Sequence, residues 1–205
     1  FKYGGTERVV FNLAKELVKL GHSVTLCGPV GSTCDFTKVI TFKDINNVET
    51  CIPDAAQIVH FNSIVPKKIK KPYLVTVHGN AKFGENLDKQ SVFISRNHAY
   101  RYGGEHFVYN GLCSIDFYTG TKRTNFHFLG KAAWRRKNVR GAIRCAKKAD
   151  RTRIDILGGS RLNFNMGFRF TPDLHACFHG MVDNDYKNKI MSKSRGLVFP
   201  VQWNE

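Results

Sequence analysis

Residues 126–159 read FHFLGKAAWRRKNVRGAIRCAKKADRTRIDILGG, and this stretch decides the fold. Phe126 to Leu129 is a short apolar run that stops at Gly130, as a buried strand does. Val139, Ala142, Ile143 and Ala146 then recur at helical spacing, which predicts an amphipathic helix. Arg153 to Leu157 predicts a second strand, closed by Gly158-Gly159. Further on, Ala176 to Phe178 predicts a strand ending in Gly180, Asp185 to Ser194 a helix, and Gly196 to Pro200 another buried strand. Strand and helix alternating in this way predict a doubly wound, parallel α/β sheet.

Working outward, the N-terminal part reads as a second unit of the same class. Val9, Val10, Leu13, Ala14, Leu17 and Val18 form a helical stripe, with Thr6 suited to cap its start and Gly21 to end it. Ser23 to Cys27 is β-prone and closes at Gly28-Pro29. Short apolar runs follow at 39–42, 57–61, 73–77, 92–94 and 107–109, as expected for strands buried on both faces of a parallel sheet. The segments between them are short for crossover helices. Residues 112–124 are mixed and polar and read as a linker. Two Rossmann-like units are therefore expected, 1–118 and 119–205. The start at Phe1 and the finish on Trp203-Asn204-Glu205 lead us to expect a piece of a longer protein, with both units truncated.

The formal net charge is +16, from 32 basic and 16 acidic residues, and calls for an anionic partner: a phosphorylated small molecule, an acidic lipid surface or a nucleic acid. The basic residues do not gather with aromatic ones as in nucleic-acid-reading motifs, which argues against the last. The cluster at Lys67, Lys68, Lys70 and Lys71 could rest on an anionic membrane. Six scattered cysteines with no C-x-x-C pair argue against zinc and a disulfide scaffold, and favour a reducing, cytoplasmic compartment.

Four places could carry chemistry. Gly4-Gly5 precedes the first helix, where open backbone and helix dipole favour an anion, although an ordinary turn fits equally well. Lys131 and Lys137, delivered by a strand ending in Gly130, could set two ammonium groups around a diphosphate; two solvated lysines are the bland alternative. His78 closes the run 73–77, where a side chain points into a ligand crevice, and His60 closes a similar run. A carboxylate at Glu205 follows the last apolar run. His106, His175 and His179 show no metal-ligand spacing, and no metal site is expected.

Taken together, these stretches resemble the retaining glycosyltransferases of the GT-B fold, family 4. Gly4-Gly5-Thr6-Glu7-Arg8-Val9-Val10 and Leu20-Gly21-His22-Ser23-Val24-Thr25 resemble that family's opening loop, first helix and second strand. Val75-Thr76-Val77-His78-Gly79, Val92-Phe93-Ile94-Ser95-Arg96 and Val108-Tyr109-Asn110-Gly111 resemble later strands of its first domain. Phe128-Leu129-Gly130-Lys131 with Lys137-Asn138-Val139 resembles its phosphate-binding pair. Ile156-Leu157-Gly158-Gly159 and Phe178-His179-Gly180-Met181-Val182 resemble the strand ends lining its nucleotide pocket, and Pro200 to Glu205 the start of its paired-glutamate motif.

The resemblance implies transfer of a hexose from a nucleotide-diphosphate sugar to a glycan or lipid-linked acceptor, with retention and no required metal or other cofactor. It implies that Gly4, Gly5, Lys131, Lys137 and Gly159 hold the donor and that Val182 meets the base through its backbone. His78 would contact the sugar or position the acceptor, and Glu205 would touch the transferred sugar. Lys131 stands where the family usually has Arg, and Asn138 where it usually has Gly. The alternatives left open are a non-catalytic, nucleotide-binding relic of such an enzyme and, more remotely, a basic nucleic-acid-binding protein.

Overall fold

The computed structural model describes residues 4–63, 65–66, 69–81, 85–111, 122–150, 152–164 and 166–202. It is a mixed α/β structure with parallel sheets, and the chain divides into two compact units, one built on Gly5–Leu112 and the other on Cys113–Asn204.

The first unit opens with α1 (Gly5–Lys19), which turns mainly Ala14 inward. The helix starts at Gly5, one residue before the predicted cap Thr6, because Gly4 (φ 148°) makes the entry turn that only glycine adopts readily. At the other end Gly21 (φ 88°) donates to the Val18 carbonyl and His22 to the Leu17 carbonyl, each at 3.0 Å. These two bonds satisfy the last carbonyls of the helix in a Schellman arrangement. Strands β1 (Thr25–Pro29) and β2 (Lys38–Phe42) pair in parallel as a separate ribbon, followed by a 3-10 turn, Ile45–Cys51, capped by the Asp44 carboxylate. Strands β3 (Val59–Phe61), β4 (Tyr73–Val77) and β5 (Ser91–Phe93) form a second parallel sheet, with the short helix α2 (Arg96–Arg101) beyond. Val48, Phe61 and Val75 make a small core there. The run 107–109 contributes a single bridge, Phe93 to Phe107, rather than a strand.

The second unit holds β6 (Asn125–Leu129), α3 (Val139–Asp150), β7 (Ile154–Leu157), a hairpin of β8 (Leu162–Asn163) and β9 (Arg169–Phe170), then β10 (Ala176–Phe178), α4 (Asn184–Ser192) and β11 (Ser194–Leu197). The four longer strands run parallel in the order β10-β7-β6-β11. Chain order thus extends from β6 to one side and then reverses to add β11 on the other. Strand alternation sends Phe128, Ile154, Ile156 and Ala176 to one face, where they meet Val139, Ala142, Ile143 and Ala146 of α3. The opposite face carries His127, Asp155, Cys177 and His179, and Tyr186 of α4 reaches it by bonding His179. One helix on each face of a parallel sheet is compatible with a Rossmann-like arrangement. The linker proposed for 112–124 lies mostly outside the described residues.

No described helix is long and apolar enough to cross a membrane.

Candidate functional site

The carboxyl edge of the second unit's sheet is built from glycine. Gly130 (φ 155°), Gly158 (φ 109°), Gly159 (φ 158°) and Gly180 (φ 71°) stand at the exits of β6, β7 and β10. Their backbones stitch the edge together: Gly130 N–H donates to the Leu157 carbonyl (2.9 Å), Ala132 N–H to Gly158 (2.9 Å), and Gly158 N–H to Gly180 (2.8 Å). A Cβ on Gly158 would stand 2.4 Å from the Gly130 oxygen, and one on Gly159 would stand 2.7 Å from the Ala132 Cβ. The approach is too close for any side chain, so the exits lie together as a smooth backbone shelf.

Lys131 and Lys137 border that shelf. Lys131 follows Gly130 directly and is exposed. Lys137 closes a 3-10 turn, Arg135–Lys137, and its stem runs past Gly130. Its ammonium lies 4.9 Å from the Phe199 ring centroid and 5.7 Å from that of Trp134, a cation–π arrangement that steadies the charge without neutralising it. Phe199 follows β11, so Lys137 stands where β6 and β11 part, the point at which the strand order reverses. In open α/β sheets ligands bind outside the carboxyl ends of the strands at such a reversal. Asn138 fixes the loop: in the left-handed conformation (φ 55°) it donates from Nδ2 to the Pro200 carbonyl (3.0 Å) and accepts from Gly141 N–H (3.1 Å). An asparagine thus serves the backbone geometry for which the resemblance led us to expect glycine. Val182 lies two residues beyond Gly180, before the Asp183 cap of α4.

Sequence reasoning missed the hairpin beside this shelf. From β9, Arg169 donates to the Ala132 carbonyl at 2.9 Å, while Arg140 donates to the Phe170 carbonyl at 2.6 Å. Burial, and then the charges of Arg140 and Arg135, push the Arg169 guanidinium below its usual value. The loop bordering the shelf is therefore positive beyond its two lysines. Two-residue strands give no periodicity, so only the alternation of Arg and Phe near 168–170 could have signalled it.

In the first unit His78 leaves β4 and bonds through Nε2 to Asn62 Oδ1 at 2.8 Å, just beyond β3. Desolvation lowers its pKa, and the nearby Glu7 carboxylate of α1 partly opposes that. His60 bonds to Thr76 Oγ1 at 2.7 Å, and burial, then His78, lowers its pKa as well. The edge thus offers a largely neutral imidazole beside a helix N-terminus. A side chain at Gly5 would meet no described atom within 4 Å beyond its own helix turn and chain neighbours, so there is open space beside the helix start. Glu205 lies outside the described residues, as do Lys67 and Lys68. Lys71 is occupied, donating to the Asp54 and Ala56 carbonyls at 2.6 and 3.0 Å.

Among known proteins, the chain matches no family model and no curated sequence.

Proposed function

We propose that the protein is a retaining glycosyltransferase with two Rossmann-like domains of the GT-B type, moving a hexose from a nucleotide-diphosphate sugar to a glycan or lipid-linked acceptor. The observation that carries this reading is the ammonium of Lys137 beside the Gly130 shelf, where the strand order reverses.

Bare backbone at the strand exits lets a diphosphate approach closely, and Lys131 and Lys137 supply compensating charge. As the anomeric bond breaks, negative charge builds on the departing diphosphate. Ammonium groups held in place before that moment stabilise the transition state more than the bound donor, so they accelerate departure. The acceptor hydroxyl then bonds to the anomeric carbon on the face the diphosphate leaves, which preserves configuration, and its proton passes to the departing phosphate. Gly159 and Val182 border the nucleotide. In the first unit Gly4 and Gly5 would favour phosphate, and His78, kept neutral by burial, would hydrogen-bond the sugar or acceptor. Glu205 would meet the sugar hydroxyls. The reading extends to a cytoplasmic protein that touches an anionic membrane when its acceptor is lipid-linked.

The test is to incubate the protein with labelled nucleotide sugars and acceptor extracts and follow release of nucleoside diphosphate. Acceptor-dependent release that Lys137→Ala reduces at least about tenfold is expected, a loss of about 1.4 kcal/mol of transition-state stabilisation. Tight donor binding without release would favour the non-catalytic relic.

A further inference from the structure

On the second unit's other sheet face, parallel pairing sets Asp155 of β7 directly beside Cys177 of β10. Two residues on, and therefore on the same face, His179 completes a group whose ligand atoms all lie within 4.8 Å of one another. We propose that Asp155, Cys177 and His179 form a zinc site with three protein ligands and a solvent molecule in the fourth position.

The donor set suits the ion. A thiolate, an imidazole and a carboxylate are the ligands zinc takes in tetrahedral geometry, with bonds of about 2.0 to 2.3 Å. Hard cations such as Mg²⁺ or Ca²⁺ select all-oxygen sites instead. The surroundings are arranged as supporting groups of a metal site are. Asn125 Nδ2 donates to Asp155 Oδ2 at 3.1 Å, fixing the carboxylate and leaving Oδ1 turned to His179 Nε2 at 2.8 Å. His179 Nδ1 lies 3.0 Å from the Tyr186 hydroxyl of α4. With the metal on Nε2, the Nδ1–H donates to that hydroxyl, which sets the tautomer and the ring plane. Asp155 and His179 are mostly buried while Cys177 is exposed, so the ion has both a dry floor and an entry path. Binding exchanges the His179–Asp155 hydrogen bond for two metal bonds, leaves the imidazole proton on Nδ1 and releases the thiol proton to solvent.

The site would tie β7 to β10 immediately before Gly158 and Gly180. It stands on its own residues and does not depend on the proposed transferase activity.

The experiment titrates the metal-free protein with Zn²⁺ against a chromophoric chelator, and with Co²⁺, whose bond to a thiolate gives a charge-transfer band in the near ultraviolet. One equivalent of metal, a Co²⁺–thiolate band, and a rise in melting temperature on adding Zn²⁺ are expected. Cys177→Ser, which changes an exposed side chain, should abolish the band and weaken Zn²⁺ binding at least about tenfold while the metal-free melting temperature stays that of the parent. Tyr186→Phe should weaken binding less. No stoichiometric uptake by the parent protein, or uptake and a thiolate band that survive in Cys177→Ser, overturns the proposal.

Discussion

The two units each build a parallel sheet, and the edges of the two sheets differ in character. In the first, histidines are held by neighbouring side chains, His60 in the middle of β3 by Thr76 and His78 just past β4 by Asn62. In the second, β6, β7 and β10 end in glycines joined backbone to backbone, with cationic side chains at the border. Their cores differ too. Phe128, Ile154 and Ile156 are wholly excluded from solvent beneath α3, whereas Val48, Phe61 and Val75 retain some exposure. A complete strand–helix–strand unit buries its apolar face against its own crossover helix; the first unit's short connections supply less cover. The tightly packed unit can therefore leave its backbone edge uncovered, while the looser one carries the His78 side chain at the exit of β4.

The contrast breaks most sharply at Gly158. Alanine there would meet the Gly130 oxygen at 2.4 Å with φ at 109°, so Gly158→Ala should lower the second unit's stability by about 3 kcal/mol or more, measured by denaturant unfolding. Gly79→Ala, with nothing within 4 Å among the described residues, should leave the first unit close to its parent stability. Next come the cores. Ile156→Ala should cost about 3 to 4 kcal/mol, and Val75→Ala, which removes less from a less enclosed site, about 2. Equal losses would erase the distinction.

The pH dependence sharpens it. His60, His78 and His127 all have pKa values lowered chiefly by burial. The unfolded chain therefore binds more protons than the folded one between those lowered values and about 6.5, so stability rises with pH through that window and levels off above it. Melting temperature should fall on going from pH 7 to pH 5.5, and His60→Gln with His78→Gln should flatten the part belonging to the first unit. A flat profile in the parent protein would contradict the burial argument. The smallest effect is expected in the second unit at Asp173, whose pKa is lowered first by the hydrogen bond from Lys147 at 2.9 Å and then by the backbone of His175. That stabilisation is present above about pH 3.9 and is lost as the pH falls through the lowered value. The Lys147 pair is partly exposed, so Lys147→Ala should cost under about 1 kcal/mol by the same unfolding measurement.

Much of the secondary structure was legible because it follows local periodicity. Tyr73 to Val77 is the strand its apolar run predicts, and the stripe from Val139 to Ala146 lies inside α3. Gly21 ends α1 as its conformational freedom predicts. The last strand is displaced, Ser194–Leu197 rather than 196–200, because Ser194 buries its hydroxyl against His127 at 2.6 Å and draws the polar start of the segment into the sheet. The hairpin at 162–170 was illegible, since its apolar side chains face solvent in two-residue strands. The lysine spacing was visible, but the Phe199 ring that holds Lys137 lies far along the chain and joins it only through the β6–β11 pairing. Asp155, Cys177 and His179 are likewise united only by strand register, which no ligand spacing in one segment reveals.

The lysine-bordered glycine edge of the second unit is the proposed grip on a diphosphate. The most direct measurement is calorimetric titration of the protein with nucleoside diphosphates, repeated with Lys131→Ala and Lys137→Ala. Saturable binding that each substitution weakens at least about tenfold, or about 1.4 kcal/mol, is the predicted result. Affinity that is absent in the parent, or unchanged in both variants, would contradict it.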